Sequence, residues 1–345
     1  MSVLPFYVSF TLAGTFVLAA LYGGPFLALT PFVAFVGIPL VDAVLGQDER
    51  DPSDGVQGRR PLYDLALWLW VPVQLAVIAL GIWRVEQGVS WGDAAALVFS
   101  LGIVSAGGGI NVAHELMHRK PKLEQGMAEV LMTAVSYPWF CVEHILGHHR
   151  FVATPDDPAT ARFGQSIYSF VPQSIFGGLA SAWRLEGERA TRRGIAGTWA
   201  DRRVRHPVLL VGAYGLVGAL AGGWGIAFFS AQSLLAVVFL EIINYVEHYG
   251  LERELTPEGR PVRVQPHHSW NSTYQFSNWY LFNLQRHADH HAWASRPYHQ
   301  LRAFADAPQL PLGYPTMILL SLVPPAWFAV MNPRVERARA EARAA

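Results

Sequence analysis

Long apolar runs divided by short polar breaks dominate this chain, and a membrane-crossing helix needs roughly 20 apolar residues. Leu4 to about Tyr22 is the first such run. Gly23-Gly24-Pro25 then reads as a tight turn, because glycine admits positive φ and proline opens a helix well. Residues 25–45 form the second run; its Pro31 and Pro39 are tolerated where neighbouring helices satisfy the freed carbonyls. A polar loop over 46–61 carries Asp48, Glu49, Arg50, Asp51, Asp54, Arg59 and Arg60. Runs over 63–83 and 91–113 follow, the former with tryptophans near its start as in an aromatic belt, the latter leading directly into His114. Two more runs, 207–221 and 224–245, are separated by Gly222-Gly223. The pattern predicts an all-α membrane protein with six transmembrane helices, and no repeat recurs at a fixed period.

The remaining segments are polar and predict a cap outside the bilayer, formed by residues 114–206 and 246–345 of a single domain spanning 1–345. Met127 to Val142 is apolar but short, and reads as an interfacial or buried helix. Leu312 to Met331 is interrupted by Pro315, Pro324 and Pro325, and reads as a packed or interfacial segment rather than a seventh span. The 119–206 stretch is rich in arginine (Arg150, Arg162, Arg184, Arg189, Arg192, Arg193, Arg202, Arg203, Arg205), and the tail adds Arg334, Arg337, Arg339 and Arg343. Basic loops remain cytoplasmic. Cap and both termini are therefore expected on the cytoplasmic side of an inner membrane. The apolar N-terminus lacks a basic leader region and is expected to be a retained span.

Composition agrees with lipid as part of the solvent. Of 345 residues, 52% are hydrophobic and 15% charged, against about 25% charged in soluble domains. The formal net charge is zero, which gives no sign of a nucleic-acid partner. The single cysteine, Cys141, excludes an internal disulfide and any Cys-x-x-Cys metal site, so electrons for redox chemistry must come from another protein or a bound cofactor.

Histidine is the candidate chemistry. Four stretches hold nine of the thirteen: His114-Glu-Leu-Met-His118, Glu143-His144-Ile-Leu-Gly-His148-His149, Asn244-Tyr-Val-Glu-His248-Tyr-Gly, and Leu284-Gln-Arg-His287-Ala-Asp-His290-His291. Neutral imidazole is the commonest protein ligand for iron, copper and zinc. One ion rarely takes more than six protein ligands, so nine candidates imply two metals. His114 and His118 stand four apart and share a helical face. His144 and His148 repeat that spacing, with His149 turned about 100° toward a second ion. His287 and His290, three apart, again share a face, with His291 adjacent. Glu115, Glu143, Glu247 and Asp289 lie beside these histidines, either as ligands or as acceptors for the distal ring N–H. His206 and His299 read as solvated loop histidines, and His267-His268 as structural. His-Glu-x-x-His alone is the zinc metalloprotease pattern with Glu115 as general base, but that chemistry has no use for the surplus histidines. A metal transporter would carry them within its spans rather than at the ends. All-nitrogen ligation beside lipid suits redox metals that activate dioxygen against an aliphatic C–H bond.

The four stretches resemble the motifs of the integral-membrane alkane 1-monooxygenases, within the superfamily of membrane di-iron desaturases and hydroxylases. The three multi-histidine boxes mark the superfamily, and the stretch around His248-Tyr249-Gly250 marks the alkane hydroxylase branch. The resemblance implies six membrane helices with a cytoplasmic, histidine-rich di-iron cap. It implies terminal hydroxylation of medium- or long-chain n-alkanes to 1-alkanols by O2, with electrons from rubredoxin reduced by rubredoxin reductase. It carries the ligands of two Fe ions onto His114, His118, His144, His148, His149, His248, His287, His290 and His291. Related chemistries within the superfamily are fatty acyl desaturation or hydroxylation and methyl-aromatic hydroxylation. Arg119 stands where the first box usually has lysine. A substrate channel is expected along the second run, at the small residues Ala34 and Gly37.

Overall fold

A computed structural model describes residues 3–52, 61–304 and 306–344. The polar loop over 46–61 therefore lies partly outside the described residues, Asp54, Arg59 and Arg60 included, as does the side chain of Arg343. Regular structure is helical, with three isolated bridges and no extended sheet among the described residues.

Among the described residues, five helices are long and apolar enough to cross a membrane. The first four are α1 (Leu4–Tyr22), α2 (Gly24–Leu45), α3 (Pro61–Glu86) and α4 (Trp91–Met117), each enclosing one of the first four predicted runs. Between them and the last lie α5 (Lys122–Thr133), α6 (140–151) and α7 (Ile167–Arg192). The expected helix over 127–142 is corrected here: α5 stops at Thr133, and Ser136 at φ 55° followed by Pro138 turns the chain before α6 begins. The 26-residue α7 has no counterpart in the predicted elements.

The fifth apolar helix, Arg202–His248, holds 47 residues. Drawn straight it would run about 70 Å, over twice the hydrocarbon thickness. It breaks at Gly222 (φ 54°, ψ −155°), a conformation that favours glycine. The halves, α8 (202–221) and α9 (223–248), fold back on each other. The rings of Tyr214 and Phe229 lie 5.1 Å apart and Ser230 Oγ donates to Tyr214 Oη over 3.3 Å. A straight helix would separate such positions by about 22 Å.

Polar side chains tie the bundle together. Gln74 Nε2 donates to Ser105 Oγ (2.7 Å), which donates to Gln232 Oε1 (3.0 Å), linking α3, α4 and α9 through their buried interior. Outward faces stay apolar, with Val44, Val211 and Leu220 at 84, 73 and 74% exposure. The short helices α10 (Gln275–Tyr280), α11 (His287–Ala292) and α12 (Tyr314–Ser321) close the polar end with α13 (Pro324–Ala344). Buried Trp327, Met331 and Val335 pack α13 around Tyr249, just after the end of α9. Residues 312–331 thus form a packed segment and no further apolar helix of spanning length.

Candidate metal centre

The four histidine stretches converge from α4 and its end, α6, the end of α9, and α11. They form two groups. His114, His118, His144, His149 and His290 make one; His148, His248, His287 and His291 make the other; ligand atoms within each lie within 4.8 Å of one another. The adjacent pairs His148-His149 and His290-His291 each divide between the groups, so two short helices serve both.

The predicted partition needs two corrections. His144 pairs with His149 (Nε2 to Nε2 3.0 Å) and not with His148. The cause is local: His144–His148 is a π-helical turn whose i→i+5 bonding, His149 N–H to His144 O, brings residues five apart onto one face. In α11, His287 groups with His291, four residues on, at a ring separation of 4.5 Å, while His290 turns to His149 at 3.1 Å.

The donor set fits metal ions. Nε2 of His114, His118, His148 and His291 are buried atoms without a hydrogen-bond partner, and the other rings meet Nε2 to Nε2, as His287 and His248 do at 3.1 Å. Burial pushes the imidazolium forms of His149, His290 and His291 far below their usual range, and that of His118 down to about 3. Neutral rings with inward lone pairs are what a cation requires. His148 is the exception: burial opposes its charge, but the Asp157 carboxylate outweighs burial and raises it.

The carboxylates distribute unevenly. Glu247 Oε2 lies 3.2 Å from His287 Nε2, and its Oε1 accepts from Tyr314 Oη at 2.8 Å. Asp157, absent from the predicted set, accepts from His148 Nδ1 at 2.9 Å and is itself held by Thr160 Oγ1 (2.6 Å) and the Ala159 N–H (3.0 Å). A signal existed in the Thr154-Pro-Asp-Asp-Pro158 turn that follows the second box. Glu115 makes no hydrogen bond to a histidine ring among the described residues: Arg119 grips it at 2.6 Å and reaches Asp64 of α3 at 3.2 Å. Asp289 likewise faces Arg296 and the Arg302 N–H, fixing the loop after α11. Glu143 folds under the π turn. A Cβ on Gly147 would stand 2.4 Å from Glu143 Oε1, so the motif's glycine makes room for this carboxyl, which burial pushes up to about 7.

A narrow cavity of about 110 Å³ runs from these histidines into the bundle. His114, His144, His287 and Glu247 form its polar end; Leu12, Ile103, Phe239 and Leu281 are among its apolar walls. Ala34 lines it; Gly37 does not, because on the π-helical stretch Val33–Gly37 the inward position falls to Ala34.

The two lone histidines are corrected as well. His299 is buried with its ring stacked on Tyr63 at 4.3 Å, and His206 is buried 3.7 Å from Glu129. Neither is solvated. His267, His268 and Glu254 form a third, smaller group. His268 Nδ1 accepts the Gln265 N–H at 3.0 Å, so a neutral ring carries its proton on Nε2, facing Glu254 at 3.4 Å, and has no lone pair free for an ion.

A family model described as fatty acid desaturase matches residues 89–321. The chain is 43% identical over 320 residues to alkane 1-monooxygenase 1 of Pseudomonas aeruginosa, covering 90% of this chain and 83% of the relative. It is 38% identical over 337 residues to alkane 1-monooxygenase 2 of Alcanivorax borkumensis, covering 89 and 87%. It is also similar, at 31% over 274 residues, to the hydroxylase component of a xylene/toluene monooxygenase of Pseudomonas putida, covering 78 and 72%.

Proposed function

The chain belongs to the fatty acid desaturase family, in its alkane 1-monooxygenase branch, and from that footing we propose that it hydroxylates the terminal methyl of medium- and long-chain n-alkanes to 1-alkanols. The balance is RH + O2 + 2 e⁻ + 2 H⁺ → ROH + H2O, with the electrons delivered by rubredoxin and, behind it, rubredoxin reductase. The observation that carries this reading is the junction of two histidine groups with an apolar cavity.

Two Fe ions would be held by the nine histidines, five around one and four around the other. When bound, iron supplies the activation of O2 and the oxidation of the C–H bond. The chain's own residues do the rest. The walls around Leu12, Phe239 and Leu281 exclude water and align an unbranched chain with its end toward His114, His144 and His287. Asp157 holds the ring of His148 through its distal nitrogen, as outer carboxylates do for metal-bound imidazoles, whereas Glu247 stands at the inward nitrogen of His287, where it would itself reach the ion. Glu115, Glu143 and Asp289 support the scaffold around them.

The chain is a single domain of six spans, counting α8 and α9 separately. Its cap over 114–206 and 246–345 and both termini face the cytoplasm, an orientation supported by the arginine-rich 119–206 stretch. Likeness to the xylene/toluene enzyme favours methyl-aromatic hydroxylation as the second reading. Metal analysis of purified protein, with O2-dependent turnover of octane, hexadecane and xylene in the presence of rubredoxin and its reductase, tests both. We expect two irons per chain and 1-alkanol as the main product. One ion per active chain overturns the di-iron reading, and turnover of xylene alone transfers the assignment to the second reading.

A further inference from the structure

Helix α7 lies outside the five apolar helices, yet it brings an apolar stripe to the surface. Tyr168, Phe176, Leu179 and Trp183 are 63, 71, 36 and 53% exposed. Phe176, Leu179 and Trp183 follow i, i+3, i+7 spacing, one helical face. That face runs into a groove of about 170 Å³ between α7 and the first turns of α8, walled by Trp139, Val142, Leu179, Trp183, Pro207 and Leu210. Immediately beyond Leu210, Val211 is 73% exposed on the outer face of α8. The groove is therefore continuous with the surface that hydrocarbon covers.

Its other end is cationic. Arg202 and Arg203 line it. The stretch 184–205 holds seven arginines (184, 189, 192, 193, 202, 203 and 205) against Glu186, Glu188 and Asp201. Counting Glu129 of α5, which takes Arg202 at 3.2 Å and Arg205 at 2.6 Å, seven less four leaves an excess of three positive charges. Exposed Arg192 and Arg193 belong to that excess. Trp199, 56% exposed, sits in the same stretch; tryptophan is enriched at the level of lipid headgroups.

We propose that α7 lies in the membrane interface and that the groove between α7 and α8 holds an acyl chain of an anionic phospholipid, its headgroup among these arginines. This rests on reading α8 as a span. The surplus charge selects an anionic over a zwitterionic lipid, since basic clusters beside a span attract anionic headgroups.

The test uses the full chain in nanodiscs of phosphatidylcholine with phosphatidylglycerol. Nitroxide labels go on Phe176→Cys and Val211→Cys; the thiol of buried Cys141, pushed up to about 12, competes poorly for the reagent. Both labels should be more accessible to O2 than to a water-soluble nickel chelate. If only the Phe176→Cys label favours nickel, the interface proposal fails while the span stands; if both do, the span reading itself fails. A Phe176→Cys label shielded from both reagents marks a second copy of the chain on this face and overturns the proposal. Native mass spectrometry supplies the second arm. The purified protein should retain phosphatidylglycerol at least tenfold better than phosphatidylcholine, and Leu179→Glu should lose that retention with iron content unchanged. Equal retention of the two lipids, or undiminished retention in Leu179→Glu, overturns the assignment of the groove.

Discussion

The five-histidine and four-histidine groups sit side by side but are built on different terms. In the group of four every ring is buried, His148 is backed by Asp157 at its distal nitrogen, and Glu247 stands beside the inward nitrogen of His287. In the group of five, His118 and His149 are only half-buried, and none of its rings donates to a carboxylate among the described residues. Anionic partners strengthen a ligand's basicity and fix its orientation, so the group of four is the firmer anchor. The cavity meets both groups, through His114 and His144 in one and His287 in the other, but only the group of five has half-buried rings and an outer edge nearer water. The contrast teaches that two sites made of one side chain type can be tuned apart by what stands behind the rings.

The sharpest way to break this comparison is to remove adjacent ligands that belong to different groups. His290→Ala and His291→Ala should each drop iron from two per chain to about one and lower alkane turnover by more than about a hundredfold, beyond the usual effect of an outer partner. Selective loss should fall on the five-histidine site in the first variant and on the four-histidine site in the second, which iron spectroscopy separates. Identical residual spectra would dissolve the distinction. Next in size is Asp157→Asn. It should weaken iron retention or activity by about 10–100-fold, all of it at the four-histidine site, as metal titration reads out. Ala34→Trp leaves both groups intact and fills the cavity wall; hexadecane turnover should fall roughly tenfold relative to octane, a pocket effect of ordinary size. An unchanged product range would show that the alkane does not pass Ala34.

The smallest effect is a control remote from both groups. Glu129 is opposed by burial, but the His206 ring beside it, hydrogen bonds from Arg205 and the charge of Arg202 hold its carboxyl down at about 2. A lowered carboxylate contributes stability that is present above its unfolded value of about 4.5 and disappears as pH falls through the folded value. Wild-type protein should therefore lose more melting temperature between pH 4.5 and pH 2 than Glu129→Gln does. Parallel melting curves over that window would remove the assignment.

The spans were legible in the sequence because hydrophobicity over 20 residues is a bulk signal that survives kinks and bulges. The Gly222-Gly223 break between α8 and α9 was legible for the same reason. So was the convergence of nine histidines into groups that could hold metal ions, which needed only their clustering. The assignment of rings to ions was not legible, because helical-face arithmetic presumes 3.6 residues per turn and His144–His148 departs from it. Burial of His299 and His206 depends on Tyr63 and Glu129, more than seventy residues away in each case, and no local pattern announces such partners. Asp157 was overlooked because it lies outside the histidine motifs, in a turn that reads as an ordinary loop. Helix α7 escaped notice because its apolar stripe is interleaved with Gly177, Gly178 and Gly187 and contains Pro172.

The π turn in α6 carries a consequence for how this protein can change. Regularising that turn to ordinary α-helix with its length unchanged would rotate everything downstream by about 100°. His148 and His149 would then trade allegiances in a single event, disrupting both coordination spheres together. No sequence of tolerable half-steps leads through that stretch. Side chains that hold the turn open, Glu143 tucked beneath Gly147 among them, therefore matter to both groups at once, although Glu143 makes no hydrogen bond to a ring among the described residues.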